Sequence, residues 1–430
     1  MKEDEFMPNK NSRLVIRSGN VFDSLSGTTK EEHTIVVIGN KIAWCGSDSA
    51  FDKETNDEII DANGKVILPG MIDCHVHLQS TATPQYERQY LRTTRGMLHY
   101  YALRNAQNHL IHGFTCVRDC GGYPDWGPSL RRILDNGIVA GPRLLVANLG
   151  IAQWGNQEAI GPFEVLEYAR QLSEVKTGID GVKHAVRDRK RSGADFIKTL
   201  TTGGVLHGME SKVDTSFFLD AELLAIVGEA HRLGMHVACH AHGREGIFRA
   251  VMAGIDTIEH GSYIDEEIAE LMIKKGLYLI PTQTAGLSLA KPEILKQLPP
   301  EVVKKTKTVL SAVLENHKVA FNKGVRFAIG TDAGTPGNHH GHTAFEIMNM
   351  VENVGMTTSQ ALQAATIESA KAIKMDDMLG SIEQGKFADL VICDSNPLEE
   401  MSILKDSKNF AHVIKDGKIM AERGQITYFK

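Results

Sequence analysis

The chain has 430 residues, of which 42% are hydrophobic and 23% are charged, and its formal net charge is −6. These values are ordinary for a folded globular protein, and the negative charge excludes a nucleic-acid binder that relies on a basic face to displace counterions. No apolar stretch is long enough to cross a bilayer, so we expect a soluble protein with no membrane partner.

The first twelve residues are charged and polar and contain no apolar segment. We expect them to form a loose leader and not a signal peptide, which favours a cytoplasmic location. The cysteines show no C-x-x-C pair and are scattered over positions 45, 74, 116, 120, 239 and 393. Free thiols in a reducing compartment are the expected state.

Short alternating apolar runs, separated by Gly-Asn and Gly-Ser turns, occupy residues 13–66, and similar runs return in residues 374–430. Such runs are typical of short strands. Neither piece alone has enough strands to bury a core. We therefore predict one small β-sandwich domain that is formed by both chain ends.

The centre of the chain, residues 67–373, alternates apolar runs with helix-like stretches. With the run that enters this region, eight apolar runs are found, at 66–77, 114–119, 143–148, 195–198, 236–239, 257–260, 277–281 and 325–330. Strands that alternate with helices predict an α/β fold with a parallel sheet, and eight such units over about 300 residues predict a (β/α)8 TIM barrel. A doubly wound open sheet is the alternative, but no G-x-G-x-x-G motif follows the first run.

Potential metal ligands lie at the carboxyl ends of these runs. His75 and His77 are two residues apart, which places both on one face of a strand. Further candidates end four later runs: Lys198, His240, His260 and Asp332. Because the catalytic groups of a (β/α)8 barrel lie at the carboxyl ends of its strands, we expect all of these side chains at one barrel mouth.

Taken together, these motifs resemble the amidohydrolase superfamily over nearly the whole chain. The resemblance rests on the entry segment VILPGMIDCHVH at 66–77, on His240 and His260, on GTDAGT at 330–335 and on LGSIEQGKFADLV at 379–391. Within the superfamily the chain is most similar to the Xaa-Pro dipeptidase-like branch, through GADFIKTLTTGG at 193–204 and CHAHGREGI at 239–247.

The resemblance implies a binuclear metal-dependent hydrolase that cleaves an amide or peptide bond and releases a C-terminal amino acid. By the resemblance, His75, His77 and Asp332 would hold one metal, and His240 and His260 the second. Lys198 would bridge both, and it would be carboxylated, since a free ammonium has no lone pair. The alternative for Lys198 is a solvated cation at a strand end. Imidazole-rich ligation with a carboxylate favours zinc, with manganese or cobalt as alternatives.

The implied reaction uses two divalent metal ions and needs no serine or cysteine nucleophile. A metal-bridging hydroxide would attack the carbonyl, and Asp332 would take the proton of the water and pass it to the leaving amine. His242 shares a face with His240. We expect His242 to orient the substrate or polarise its carbonyl, or else to pack behind the ligands.

Residues near these candidates are also assigned. Loops that follow barrel strands build the active site, so we predict substrate contacts from the loop residues His207, His339 and Trp154, while His340 and His342 are expected bystanders. Arg118 is expected to belong to a structural ion pair. Two cysteines each precede a candidate ligand by one residue and should face the core: Cys74 and Cys239.

Two other classes of function remain open. A mononuclear cyclic-amide hydrolase or deaminase of the imidazolonepropionase kind would lack the bridging lysine. A non-catalytic scaffold of the dihydropyrimidinase-related kind would typically have lost ligands, whereas all six are present here. The expected partner is a small-molecule amide or peptide substrate, and the expected assembly is a homo-oligomer.

Overall fold

The computed structural model of the chain describes residues 13–123, 125–155, 173–206 and 211–428. The predicted leader, residues 1–12, and the predicted substrate contact His207 lie outside the described residues. Within these ranges, none of the helices combines the length and the apolar character that crossing a membrane requires.

Strands are found at both chain ends and through the centre of the described chain. They are β1 (Arg13–Asp23), β2 (Thr28–Ile38), β3 (Lys41–Ser47), β4 (Asp57–Asp61), β5 (Val66–Pro69), β6 (Met71–Val76), β7 (Phe114–Asp119), β8 (Arg143–Val146), β9 (Gly150–Ala152), β10 (Ser173–Val175), β11 (Ile197–Leu200), β12 (Val237–Ala241), β13 (Thr257–His260), β14 (Tyr278–Ile280), β15 (Arg326–Phe327), β16 (Leu390–Cys393), β17 (Phe410–Lys415), β18 (Lys418–Glu422) and β19 (Gln425–Ile426).

Helices alternate with the central strands. They are α1 (Tyr86–Arg92), α2 (Arg95–Ile111), α3 (Trp126–Asp135), α4 (Ile179–Arg191), α5 (Asp220–Arg232), α6 (Arg244–Ala253), α7 (Glu266–Lys275), α8 (Gln283–Leu289), α9 (Pro292–Leu295), α10 (Pro300–Lys323), α11 (Ala344–Asn349), α12 (Thr358–Gln363) and α13 (Ser369–Ala372). Short π-helical segments follow α11 and α12, at Met350–Val354 and Ala364–Glu368, and 3-10 turns occur at Asp48–Ala50, Met401–Lys405 and Ser407–Asn409.

One nine-stranded sheet contains strands from both chain ends, in the order β19-β18-β17-β16-β5-β1-β2-β3, with β4 paired to β1. The two ends meet where β5 pairs antiparallel with β16, with Leu68 opposite Val391. Both of these strands are buried along their whole length. That this sheet forms a sandwich domain with the predicted bounds stays a prediction.

The predicted first central strand, 66–77, is in fact two strands that separate at Gly70. The Gly70 N–H donates to the Asp389 carbonyl at 2.7 Å, and a Cβ at this position would lie 2.0 Å from Thr115 Oγ1. Only glycine allows the backbone to approach so closely. As a result β5 joins the sheet of the chain ends, while β6 starts the central parallel strands.

The central strands form two parallel sheets, a seven-stranded one in the order β10-β9-β11-β12-β13-β14-β15 and a three-stranded one in the order β6-β7-β8. Backbone hydrogen bonds connect them on both sides. The Asp195 N–H donates to the Val146 carbonyl at 2.9 Å, and the Cys74 N–H donates to the Ile329 carbonyl at 2.8 Å. The predicted α/β fold with parallel strands is confirmed, and closure into a barrel stays a prediction.

Helix α7 illustrates how the sequence sets the outer layer. The Asp265 side chain accepts a hydrogen bond from the Ile268 N–H at the start of the helix, and Gly276 ends it at φ 69°. Between these caps, Ile268 and Met272 are buried at helical spacing in the main hydrophobic core. Caps and an apolar face of this kind hold the helices against the strands and leave the strand ends free to form a site.

Candidate active site

The six candidate ligands come together at the carboxyl ends of central strands. They belong to, or directly follow, β6, β11, β12, β13 and β15: His75, His77, Lys198, His240, His260 and Asp332. All of them line a single cavity of about 210 Å³. Strand order therefore brings together side chains that lie more than 250 positions apart in the sequence, as between His77 and Asp332.

One part of the cluster consists of His75, His77 and Asp332. Oδ1 of Asp332 lies 3.6 Å from Nε2 of His75 and 3.3 Å from Nε2 of His77. The Nδ1 atoms of both rings have hydrogen-bond partners on the side opposite Asp332. Nδ1 of His77 lies 3.1 Å from the Gly121 carbonyl, and Nδ1 of His75 lies 2.7 Å from Glu259 Oε2. Both Nε2 atoms thus face the same carboxylate.

A second part consists of His240, His242 and His260. The His240 ring centroid lies 4.5 Å from that of His260, and the His242 centroid lies 4.7 Å from both. Nδ1 of His260 is 2.8 Å from Thr282 Oγ1, and Nδ1 of His242 is 2.7 Å from Ser262 Oγ. Ligand atoms from these three histidines are close enough to share a metal ion, and so are those of His75, His260 and Asp332.

Lys198 lies beside the first part of the cluster. Its Nζ is 3.5 Å from Nε2 of His75, and the residue is 4% exposed. Among the described residues no carboxylate forms an ion pair with it. Burial of this kind contradicts the alternative that Lys198 is a solvated cation at a strand end.

The backbone is unusual at two of the cluster positions. His260 has φ 70° and Asp332 has φ 57°, in the left-handed region that residues other than glycine rarely adopt. Adjacent side chains of a strand point to opposite faces, so the left-handed turn at His260 allows both Glu259 and His260 to reach the cluster. Backbone strain of this type is concentrated at functional sites.

Glu259 and Arg118 form a buried ion pair behind the cluster. Nη2 of Arg118 donates to Oε1 of Glu259 at 2.7 Å, and both residues are 0% exposed. Burial raises the pKa of the Glu259 carboxyl, but the charge of Arg118 and the hydrogen bond from His75 outweigh it, and the net pKa is lowered. Glu259 therefore stays a carboxylate and accepts a hydrogen bond from the Nδ1–H of His75. The Nε2 lone pair of His75 is then directed toward the cavity.

Burial also favours the neutral form of the other imidazoles. It lowers the pKa of His75 and that of His242 to about 4, and it also lowers the pKa values of His240 and His260 well below their usual range. Burial lowers the pKa of His77 as well, but the hydrogen bond to Asp332 together with the negative charges of Asp332 and Asp119 outweighs it and raises the pKa to about 8. Neutral imidazole is the form that binds a metal ion.

The other sequence-predicted site residues are placed differently. His242 lines the cavity. Trp154 is 50% exposed and His339 is exposed with its ring against His342, and neither belongs to the described cavity wall. The substrate contacts expected of both residues stay predictions.

Some residues near the cluster were not identified from the sequence. Cys120 lines the cavity. His340, expected to be a bystander, is buried with Nδ1 3.0 Å from His109 Nε2 and Nε2 3.0 Å from the Ser80 carbonyl. The prediction for Arg118 agrees with its ion pair, whereas Glu259 was missed because strand alternation placed it on the face opposite His260.

Comparisons with known proteins agree with this geometry. The amidohydrolase family model matches residues 66–420. Ochratoxinase from Aspergillus niger is 29% identical over an alignment of 412 positions that covers 90% of this chain and 83% of the relative.

Two solved structures are similar over nearly the whole chain. A Xaa-Pro dipeptidase with bound methionine in the active site has a TM-score of 0.86 and 36% identity over 95% of this chain and 100% of that chain. A prolidase complexed with N-methylphosphonate-L-proline has a TM-score of 0.87 and 31% identity over 96% of this chain and 100% of that chain. The chain therefore belongs to the amidohydrolase family, close to its ochratoxinase and Xaa-Pro dipeptidase-like members, and is a hydrolase that acts on amide bonds.

Proposed function

We propose that this chain is a binuclear metal-dependent amidohydrolase that releases a C-terminal amino acid from a dipeptide, a longer peptide or an N-acyl amino acid. The observation that carries the proposal is the environment of Lys198. It is 4% exposed, its Nζ lies 3.5 Å from a histidine nitrogen, and no described carboxylate pairs with it. An unpaired ammonium is costly to bury, whereas a carboxylated lysine between two cations is not.

The donor set fits two divalent cations. His75, His77 and Asp332 would hold one ion, His240 and His260 the other, and carboxylated Lys198 would bridge them. Imidazole nitrogens with carboxylate oxygens favour zinc, with manganese or cobalt as alternatives. When bound, the ions supply Lewis acidity that lowers the pKa of the attacking water and polarises the scissile carbonyl.

The residues of the chain supply proton transfer and orientation. Asp332 accepts the proton of the attacking water and returns it to the leaving amine. His242 donates from the cavity wall toward the carbonyl oxygen, since Ser262 holds its Nδ1 at 2.7 Å and fixes the ring. The alternative role for His242 is as a third imidazole ligand beside His240 and His260.

The relatives support an amide whose leaving group is an amino acid. Two of the similar solved structures are a Xaa-Pro dipeptidase and a prolidase, and one of the curated relatives is an ochratoxinase. The reading as a mononuclear cyclic-amide hydrolase is disfavoured by Lys198, which such a site would not need.

We also propose that the central strands form one closed (β/α)8 barrel over residues 67–373, with a β-sandwich domain at 13–66 and 374–430. Two sets of contacts support closure. The Asp332 N–H donates to the His75 carbonyl at 2.7 Å, next to β6, and the Asp195 N–H before β11 donates to the Val146 carbonyl of β8 at 2.9 Å. A barrel would place every candidate ligand at one mouth.

The proposal is tested by elemental analysis of protein purified without chelator and by 13C NMR after labelling with 13C-bicarbonate. We expect close to two metal equivalents per chain, a carbamate resonance, and hydrolysis of members of a dipeptide and N-acyl amino acid panel. Lys198→Met should lose the resonance and metal, while Lys274→Met, at an exposed position of α7, should keep both. One metal equivalent without a carbamate resonance would favour the mononuclear alternative.

A further inference from the structure

The cavity continues from the metal-ligand cluster onto the sides of two helices. Helix α10 contributes one face with side chains three and four residues apart: Thr306, Val309, Leu310 and Val313. Helix α8 contributes Ala285, Gly286 and Leu289. We call this surface the α8–α10 wall. It presents a mainly apolar surface to a ligand in the cavity.

The hydroxyl on this wall is already used within the helix. Oγ1 of Thr306 donates to the Val302 carbonyl at 2.8 Å, one turn earlier in α10. A hydroxyl engaged in this way has no proton to offer a ligand. The threonine therefore adds its methyl group to the apolar surface.

Polar groups between the wall and the cluster are also engaged. Gln283 lies with Nε2 3.2 Å from His317 Nδ1, and its Oε1 accepts from Asn353 at 3.1 Å. Oγ1 of Thr282 is 2.8 Å from Nδ1 of His260. These side chains position the cluster, and Gln283 Nε2 keeps one further N–H beyond its contact with His317.

Beside the wall, the ammonium of Lys305 on α10 donates to the Gly204 and Ser211 carbonyls at 3.3 and 3.0 Å, and Lys305 itself is not on the described cavity lining. Among the described lining residues, those that can carry a charge are Lys198, Asp332 and the five histidines, all in the cluster. A charged substrate group on the α8–α10 wall would be removed from water without a partner, which is costly. An apolar group would gain from the same burial.

Gly286 sets the room available on the wall. A Cβ at Gly286 would lie 3.2 Å from Cδ1 of Leu310, closer than ordinary packing allows. Gly286 has no positive φ, so the backbone itself does not require glycine. The missing side chain lets Leu310 pack close to α8, so a larger residue at position 286 would compete with Leu310 and with a substrate group for room on the wall.

Resting on the proposed amide hydrolysis, we propose that the α8–α10 wall is a specificity subsite that binds an apolar side chain next to the scissile amide. Substrates with a branched aliphatic or aromatic residue at that position are preferred over those with glycine or a charged residue. Gly286 limits the size of this side chain.

The test measures kcat/KM for metal-loaded enzyme on two dipeptide series, Ala-Xaa and Xaa-Ala, with Xaa as Gly, Leu, Phe, Asp or Lys. In one series Leu should exceed Gly by at least about tenfold, because single methylenes in a hydrophobic pocket change this ratio by about 10 to 200-fold. Asp and Lys should be poorer than Gly in that series. Equal rates for apolar and charged members in both series would overturn the subsite while leaving amide hydrolysis intact.

Two variants locate the preference on the wall. Gly286→Val should lower kcat/KM for Leu and Phe at least about tenfold and leave Gly within about threefold. Val313→Ala enlarges the same space and should raise the Phe to Leu ratio. Equal losses for all members with Gly286→Val, and an unchanged ratio with Val313→Ala, would overturn the proposal.

A matched control and a folding check complete the experiment. Ser311→Val, at an exposed position of α10, should leave every kcat/KM unchanged. Tm and metal content are measured for each variant. If the metal-loaded parent hydrolyses no member of either series and also none of the N-acyl amino acids of the panel above, the proposed function itself fails, an outcome distinct from the loss of apolar preference.

Discussion

Oε2 of Glu259 lies 2.7 Å from Nδ1 of His75, and both residues are buried behind the candidate metal cluster. The other oxygen of Glu259 is held by Arg118 at 2.7 Å and by Thr257 Oγ1 at 2.5 Å. This arrangement fixes both the tautomer and the orientation of His75. In known metal sites, partners of this kind change metal affinity or activity by about 10 to 100-fold when they are lost.

Glu259→Gln keeps the volume of the side chain but removes its charge and can turn an N–H toward His75. We expect the affinity for metal to fall about 10 to 100-fold. Competition with a chromogenic chelator measures this directly, without relying on activity. Glu270→Gln, on the exposed face of α7, is the matched control and should bind metal like the parent. Unchanged affinity in Glu259→Gln would show that His75 is oriented by other contacts.

Arg118→Met should lower the stability of the protein itself and not only its affinity for metal. It leaves the carboxylate of Glu259 buried without its cation, and breaking a buried pair in this way typically costs about 3 to 5 kcal/mol. Chemical denaturation of the metal-free protein measures the free energy of unfolding. The double variant with Glu259→Gln should recover part of the loss, since the uncompensated charge is gone. Additive losses in the double variant would contradict the coupling.

The buried carboxyl of Glu346, which is not one of the cluster residues, should make the free energy of unfolding depend on pH. Its carboxylate accepts from the backbone N–H groups of Gln283 and Thr284 at the start of α8, at 2.8 and 2.6 Å. Burial, with a further contribution from the charge of Asp73 and against those hydrogen bonds, raises its pKa to about 7 from 4.5. Between these values the folded protein holds a proton that the unfolded chain has released.

Stability should therefore fall as pH rises from about 4.5 to about 7, by at most about 1.4 kcal/mol per pH unit for this one proton. Denaturant titrations at several pH values measure the slope, and Glu346→Gln should remove this contribution. Glu352→Gln, later in the same helical segment, is the matched control. It should show the parent's slope of stability against pH if Glu346 is the group involved. A slope that persists in Glu346→Gln would assign it to another carboxyl, Asp73 being the nearest candidate.

Strand periodicity accounts for much of what could be predicted from the sequence. Apolar runs that end in His240, His260 and Asp332 predict parallel strands with those side chains at one edge, and the structure places them there. Glu259 could not be predicted, because only the left-handed φ of His260 lets two adjacent side chains face the cluster. The division at Gly70 was missed for a similar reason, since it depends on a contact with Thr115 that is distant in sequence.

Deleting residues 374–430 should leave insoluble protein. The deletion removes β16, so β5 loses the partner that pairs with it from Val66 to Pro69, and a buried apolar strand edge becomes exposed. It also removes Asp416, which pairs with Arg143 of β8 at 2.6 Å. Solubility and gel filtration of the truncated chain are the measurements. A soluble, metal-loaded product would show that the two ends of the chain are independent of each other.

Asp332→Asn separates metal binding from proton transfer. Asparagine keeps an oxygen donor and nearly the same volume beside His75 and His77, but it cannot accept a proton. We expect metal to be retained while kcat on an N-acyl amino acid or dipeptide falls by at least about 10² to 10⁴-fold, the usual contribution of general acid–base catalysis. Metal content and kcat measured on the same preparation test this. Full metal occupancy with kcat within a factor of about three of the parent would assign proton transfer to another group, and His242, held by Ser262 in the same cavity, would be the next residue to substitute.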